Sequence, residues 1–120
     1  MRLYLMLEMI ISVIRRGNSD MERNDYQNAF LRHIAEMQEI RVELTLGEHK
    51  LYEHEEYEKI RALLMDATHG MIYDIMEMID GYSSFSADKM DIVNTKTGQY
   101  LKKEPFIELH DAVCDFIRYE

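Results

Sequence analysis

The C-terminal stretch IELHDAVCDFIRYE carries four side chains of the types that bind metal ions: His110, Asp111, Cys114 and Asp115. Imidazole, carboxylate and thiolate groups are the usual protein ligands of divalent ions. At about 100° per residue on a helix, His110 and Cys114 lie about 40° and about 80° from the centre of the apolar face. Asp111 and Asp115 then point to the opposite, solvent side. The four side chains cannot meet at one ion, so the sequence predicts a histidine half covered by the core.

Four further carboxylates form two pairs, Glu53-x-x-Glu56 and, after twenty intervening residues, Glu77-x-x-Asp80. This pattern resembles the E-x-x-E…E-x-x-D signature of the all-α nucleotide pyrophosphohydrolases of the MazG and dUTPase type. The resemblance implies that the four carboxylates hold Mg²⁺, a hard cation that takes oxygen ligands. It also implies that a metal-activated water attacks a nucleoside triphosphate between its α and β phosphates. Both pairs fall on what reads as one helix, so they can meet only if that helix breaks near Gly70.

One further carboxylate, Asp74, lies on an apolar stripe of the same predicted helix. A buried carboxylate needs a partner, because an unpaired charge is costly in the interior. His33 lies on the apolar stripe of the preceding predicted helix and is the candidate partner. The sequence therefore predicts a buried Asp74–His33 pair with a structural rather than a catalytic role.

Acidic residues outnumber basic ones by 23 to 14, which gives a formal net charge of −9. This charge repels nucleic-acid phosphates and anionic lipid, so we expect no nucleic-acid or membrane partner and favour a basic protein. The side chains expected to bind that partner are the carboxylates of two acidic stretches: Glu53, Glu55, Glu56, Glu58, Glu108, Asp111 and Asp115. Cys114 is the only cysteine, so no intrachain disulfide can form and a cytoplasmic location is expected.

Hydrophobic periodicity predicts four helices. The first covers Leu3–Ile14 and is apolar almost all round, and the second follows an S-x-x-E capping box at Ser19–Glu22 and ends near Gly47. The expected buried stripe of the second helix is Tyr26, Phe30, Ile34, Met37, Ile40 and Leu44. The third helix spans 51–80, with Gly81 after its end, and its expected stripe is Tyr57, Ile60, Leu64, Ala67, Met71, Ile75 and Met78. The last helix starts at Pro105, and its expected buried face is Phe106, Leu109, Val113, Phe116 and Ile117.

The third helix carries a second apolar stripe in its last turns, formed by Met65, Ile72, Met76 and Ile79. Such a helix must be covered on two sides, either by the first helix or by a second copy of the chain. Arg15-Arg16-Gly17 can be encoded by a purine-rich run like a bacterial ribosome-binding site, a few codons before Met21. Residues 1–20 are therefore either a native helix or a non-native extension, and in the second case we expect a homodimer through the second stripe.

Between the third and last helices, Asp91–Asn94 and Gln99–Leu101 flank Thr-Lys-Thr-Gly, which predicts a β-hairpin with Gly98 in the left-handed conformation. The expected fold is mainly α (α+β): a single domain over 1–120, with three to four bundled helices and one hairpin before the last helix. No closed catalytic set or phosphate-binding glycine pattern is present, so no cofactor is expected. The favoured function is an acidic protein-binding module, such as an antitoxin or immunity-type inhibitor of a basic partner. The alternative is a Mg²⁺-dependent nucleotide pyrophosphohydrolase.

Overall fold

The computed structural model describes residues 23–85 and 89–119. Within these ranges the chain forms three helices: α1 (Asp25–Glu48), α2 (Tyr57–Ile79) and α3 (Leu109–Val113). The predicted mainly helical class is confirmed. The predicted helix over Leu3–Ile14 and the predicted capping box at Ser19–Glu22 lie outside the described residues. In the part of the chain that the structure describes, no helix is long and apolar enough to cross a membrane.

Helix α1 begins after Asn24, which forms a capping box with Gln27. The Asn24 side chain accepts a hydrogen bond from the Gln27 backbone N–H at 2.7 Å, and the Gln27 side chain accepts one from the Asn24 N–H at 2.9 Å. These bonds satisfy two backbone donors that a helix start leaves without partners. At its other end α1 stops at Glu48, one residue after the predicted Gly47, and Lys50 adopts a positive φ of 53°.

Helix α2 is one uninterrupted helix from Tyr57 to Ile79, and it continues straight through Gly70. Its start is later than predicted, because residues 51–56 form turns that connect it to α1. Its end is as predicted: Gly81 has a φ of 89°, and the N–H of Tyr82 bonds back to the carbonyl of Glu77. Glycine tolerates this left-handed conformation, which satisfies the last carbonyls of the helix.

The buried face of α1 is not the predicted one. The side chains that α1 buries are Gln27, Leu31, Gln38, Val42 and Leu46. Of the predicted stripe, Phe30 and Ile34 pack against the core, whereas Met37, Ile40 and Leu44 are exposed. The predicted buried face was wrong because two buried positions of α1 are glutamines, Gln27 and Gln38, and a hydrophobicity pattern assigns glutamine to the surface.

Helix α2 buries its second predicted stripe. Met65 and Met76 are buried, and Ile72 and Ile79 are partly buried against the cluster that contains Met76. A homodimer through these four side chains is therefore not supported, because the chain itself covers most of their surface. Of the first predicted stripe, Met71 and Ile75 are exposed instead.

The segment before α3 reverses direction around Gly98, whose φ is 76° as predicted. An isolated antiparallel bridge joins Val93 to Tyr100, and the predicted β-hairpin is not confirmed, because this region of the described chain forms no regular strand. Helix α3 starts at Leu109 rather than at Pro105, which follows a cis peptide bond.

Two hydrophobic clusters hold these elements together. The larger one joins α1, α2 and α3, and its buried members include Leu31, Met76, Leu109, Val113 and Ile117. Of the face predicted for the last helix, Leu109, Val113 and Ile117 are thus buried as expected, whereas Phe106 is exposed. The smaller cluster lies where α1 meets the start of α2 and contains Val42, Leu46 and Met65.

Candidate functional site

The most elaborate polar arrangement in the described chain is centred on Asp80, at the C-terminal end of α2. Its side chain is 1% exposed. One carboxylate oxygen, Oδ2, accepts hydrogen bonds from the backbone N–H of His110 at 2.8 Å and from the His110 ring Nδ1 at 2.7 Å. The other, Oδ1, lies 2.7 Å from Nζ of Lys102, which is itself buried and also donates to the carbonyl of Met90 at 2.8 Å. Asp80 therefore ties the end of α2 to the start of α3 and to the segment between them.

The environment of Asp80 acts on its pKa in two opposite directions. Burial raises the pKa of the carboxyl, because desolvation disfavours the charged form. Hydrogen bonds from His110, Lys102 and the backbone of Leu109 favour the ionised form and outweigh burial, so the pKa of Asp80 lies below its ordinary value. The group is therefore an ionised carboxylate at neutral pH.

His110 is held in a defined orientation by this carboxylate. Its Nδ1 bonds to Asp80 at 2.7 Å and also lies 3.5 Å from Oε2 of Glu108, while Nε2 lies 3.7 Å from Oδ1 of Asp111. The ring is flanked edge-on by Tyr82, at 5.0 Å between centroids. A carboxylate at Nδ1 favours the proton on that nitrogen, which leaves Nε2 as the acceptor in the neutral form. The geometry is that of an Asp–His pair with the histidine partly buried, close to the half-covered histidine that the sequence predicted.

Asp80, Glu108 and His110 could also be considered as metal ligands, since their ligand atoms lie within 4.8 Å of one another. The donor set does not fit an ion well. Oδ2 of Asp80 accepts two hydrogen bonds from His110, and the ammonium of Lys102 lies 2.7 Å from Oδ1, where a cation would have to bind. Like charges at that distance repel strongly in a buried site. Lys102 thus supplies the positive charge that this carboxylate requires, and the arrangement is best explained as a buried ion pair that joins three parts of the fold.

The four carboxylates of the predicted Mg²⁺ site do not come together. Glu53 and Glu56 are exposed in the connection before α2, whereas Glu77 and Asp80 lie at its far end. Because α2 does not break at Gly70, the two pairs are separated by about 30 Å or more at 1.5 Å per residue. Residues that far apart cannot share one ion. The resemblance to the pyrophosphohydrolase signature is therefore not supported by the geometry of this helix.

The predicted buried pair of His33 and Asp74 is also wrong. The His33 side chain is 69% exposed and lies 3.4 Å from Glu36 on the same helix, and Asp74 is exposed on α2. Both residues sit on the outward side of helices whose buried faces are rotated from the predicted ones. Among the described residues, the buried carboxylates that form ion pairs are Asp80, with Lys102 and His110, and Asp115, with Arg23.

The predicted partner-binding carboxylates fall into two groups. Glu53, Glu55, Glu56 and Glu58 are all exposed, as expected for a binding surface. In the second group Asp111 is exposed, Glu108 accepts a hydrogen bond from the Tyr82 hydroxyl at 2.8 Å, and Asp115 is only 5% exposed. Asp115 bonds to the guanidinium of Arg23 at 2.9 Å, so it cannot serve a partner.

Sequence reasoning missed the role of Lys102 and linked Asp80 to the wrong residues. Asp80 stands just before the glycine that ends α2, a position read only as half of a carboxylate pair. Its true partners lie 22 and 30 residues further along, at no helical or strand spacing that a local pattern could reveal. A lysine in a polar stretch gives no signal that it is buried, because burial of Lys102 depends on how the segment 89–108 folds over α2.

Comparison of the chain with protein-family models, with curated proteins and with solved structures found no match.

Proposed function

We propose that this chain is a protein-binding module that recognises a basic partner through the acidic connection between α1 and α2. We call this surface the acidic connection; its residues are Glu53, Glu55, Glu56 and Glu58. One observation carries the proposal: all four carboxylates are exposed, and none of them forms an ion pair with any residue that the structure describes.

Several of the cationic side chains, by contrast, are already paired. Arg23 bonds to Asp115 and Lys102 to Asp80, both in buried positions. On the surface, Arg61 lies 3.7 Å from Glu43, and Arg118 contacts Glu39. These four cations are paired with carboxylates outside the acidic connection, whose own glutamates form no ion pair with a described residue.

The acidic connection is also ordered by its own backbone. The N–H of Leu51 bonds to the carbonyl of Leu46, that of His54 to Leu51 and that of Tyr57 to His54. The His54 ring accepts a further hydrogen bond from the Glu56 N–H at 3.0 Å. A turn held in this way presents its carboxylates in a set arrangement, which reduces the entropy lost on binding.

Uncompensated charge of one sign raises association rates and discriminates between partners more than it adds affinity. Such a surface suits an antitoxin or immunity-type inhibitor, whose partner is a basic protein such as a nuclease. The proposed class of partner is therefore a protein with a cluster of lysine and arginine side chains.

The proposal is tested with two variants of equal net charge, used as bait in a pull-down from a native extract. In the first, all four glutamates of the acidic connection are replaced: Glu53→Gln, Glu55→Gln, Glu56→Gln and Glu58→Gln. In the matched control, four other exposed carboxylates are replaced: Glu36→Gln, Glu48→Gln, Asp66→Asn and Asp74→Asn. Association rates of the captured protein are then measured at about 10 mM and about 100 mM salt, which shortens the screening length from about 30 Å to about 10 Å.

We expect the wild type and the control to bind a basic protein, and the first variant to associate about tenfold or more slowly at low salt. The wild-type rate should fall as salt rises. Equal rates for the two variants, or binding that is insensitive to salt, would contradict the proposal.

A further inference from the structure

One outer face of the α1–α2 pair exposes several apolar side chains. Met37, Ile40 and Leu44 on α1 and Met71 on α2 are each between 48% and 60% exposed. Together with Ile72 they line a groove of about 370 Å³, here called the helix-pair groove. A groove lined mainly by apolar side chains is a candidate surface for an apolar segment to bind.

A second copy of the chain is a poor occupant for the helix-pair groove. Exposed carboxylates lie beside it, Glu36 on α1 and Asp74 on α2, and the lining of the groove includes one cation, Arg41. A second copy would bring another −9 of net charge and would place the same carboxylates against these ones. Like charges that face each other across an interface cost free energy. The occupant should instead be apolar with positively charged ends.

The N-terminal part of this chain has that composition. Leu3–Ile14 is apolar except for Glu8 and Ser12, and three arginines flank it: Arg2, Arg15 and Arg16. A segment so apolar must be covered on most sides. It also belongs to the same molecule as the groove, so its effective concentration there is in the millimolar range for a short tether.

The tether is long enough. From Asp25 to Met37, at the near end of the groove, α1 rises about 18 Å at 1.5 Å per residue. Residues 15–22 can span about 26 Å when extended, at about 3.3 Å per residue. The segment Leu3–Ile14 can therefore reach the groove without any change in α1.

We propose that Leu3–Ile14 binds intramolecularly in the helix-pair groove, with Arg15 and Arg16 close to the flanking carboxylates. This inference is independent of the acidic connection, which lies in the turns before α2 and in its first turn and contributes no residue to the lining of the groove. It assigns the exposed side chains of Met37, Ile40, Leu44 and Met71 to a contact within one molecule.

The test is disulfide cross-linking in the full chain, in a Cys114→Ala background that removes the only native thiol. One cysteine is placed in the groove by Ile40→Cys. The second is placed in turn at each of residues 7–11, which at about 100° per residue cover every direction around a helix. The matched control replaces the groove cysteine with Asp66→Cys, an exposed position on the other side of α2. Circular dichroism of each reduced variant confirms that it is folded.

We expect at least one of the five positions to form an intrachain disulfide with Ile40→Cys, because a disulfide requires Cα atoms within about 7 Å. At micromolar protein, intrachain bonds should exceed interchain bonds by about a hundredfold or more. The Asp66→Cys series should form several-fold less. No intrachain product at any of the five positions, equal yields in the two series, or disulfide-linked dimers alone would overturn the proposal, and the last result would identify a second copy as the occupant.

Discussion

At the scale of single residues, the carboxylate of Asp80 connects α2 to two later parts of the chain. Asp80 neutralises the buried ammonium of Lys102 and accepts both the backbone and the ring N–H of His110. A buried pair of this kind adds little net stability over an apolar alternative, but loss of one partner leaves the other charge buried and uncompensated. Replacing one member of the pair is therefore expected to lower the free energy of unfolding by more than the intact pair contributes to it.

We predict that Asp80→Asn lowers the free energy of unfolding by about 3 kcal/mol, because Lys102 then keeps only the Met90 carbonyl as a partner. Urea denaturation followed by circular dichroism measures this change. The control is Asp74→Asn, an exposed carboxylate on the same helix, which should change stability by no more than about 0.5 kcal/mol. If the two substitutions lowered the free energy of unfolding equally, the Asp80 contacts would contribute no more to stability than an exposed carboxylate does.

The same carboxylate predicts a pH dependence. The pKa of Asp80 in the folded chain lies below its ordinary value, so the unfolded chain binds this proton first as the pH falls. The stabilisation is complete above the unfolded pKa, about 3.9, and is lost as the pH falls through the lower folded pKa. We therefore expect the stability difference between wild type and Asp80→Asn to be constant from pH 7 to about pH 5 and to shrink below about pH 4. If the stability difference grew as the pH fell below about 4, the pKa of Asp80 would have to be raised in the folded chain, which would contradict the prediction.

At the scale of elements, the sequence predicted which segments are helical better than which sides of them are buried. The presence of α1 and α2, the glycine at the end of α2 and the buried Leu109, Val113 and Ile117 were all readable from apolar spacing and turn residues, whereas the late start of α2 was not. The sequence did not indicate that the buried faces of α1 and α2 are rotated from the predicted apolar stripes. Gln27, Gln38 and His69 occupy core positions where their polar atoms or rings meet distant segments, and only the folded chain supplies those partners.

Gln38 shows how such a residue positions an element. Its side-chain nitrogen donates to the carbonyl of Arg118 at 2.7 Å, and its oxygen accepts from the Arg118 N–H at 3.0 Å. The same nitrogen is 3.2 Å from the carbonyl of Met65 on α2. One buried amide thus holds the C-terminal segment against both long helices.

We predict that Gln38→Leu destabilises the chain by about 1–3 kcal/mol, although leucine is apolar and the site is buried, because the Arg118 backbone groups lose their partners. Hydrogen exchange should show that the Arg118 amide loses protection more than amides in the middle of α1. The control is Gln99→Leu, an exposed glutamine whose substitution should leave the exchange of Arg118 unchanged. An unchanged Arg118 amide in Gln38→Leu would contradict the role given to this side chain.

At the end of α1, one substitution is expected to stabilise the chain rather than destabilise it. Lys50 has a φ of 53°, a conformation that costs a residue with a Cβ about 1 kcal/mol and glycine almost nothing. We expect Lys50→Gly to stabilise the chain by about 0.5–1 kcal/mol, which corresponds to about 2–5 °C in melting temperature. Lys59→Gly, inside α2, is the control and should be destabilising by about 1 kcal/mol. A melting temperature that falls with Lys50→Gly would show that the lysine side chain makes a contribution beyond its backbone conformation.

At the scale of the whole molecule, the charge is distributed unevenly between interior and surface. Lys102 and Arg23 are buried beside carboxylates, so two of the fourteen cationic side chains are withdrawn from the surface into local pairs. The acidic connection has no such partner among the described residues. Repulsion among surface carboxylates therefore opposes folding, and the same repulsion makes the surface suitable for a basic partner.

Salt should accordingly stabilise this protein. An increase in sodium chloride from about 10 mM to about 100 mM shortens the screening length from about 30 Å to about 10 Å and weakens repulsion among exposed carboxylates, whereas the buried pairs are screened much less. We expect the melting temperature to rise by a few degrees, and by less in the variant that replaces Glu53, Glu55, Glu56 and Glu58 with glutamine. The control variant at residues 36, 48, 66 and 74 has the same net charge but keeps the acidic connection, so its salt response should stay closer to that of the wild type. A melting temperature that falls with salt would mean that attractive surface pairs such as Arg61–Glu43 outweigh the repulsion among exposed carboxylates. Repulsion within the acidic connection would then not dominate the electrostatics of the surface.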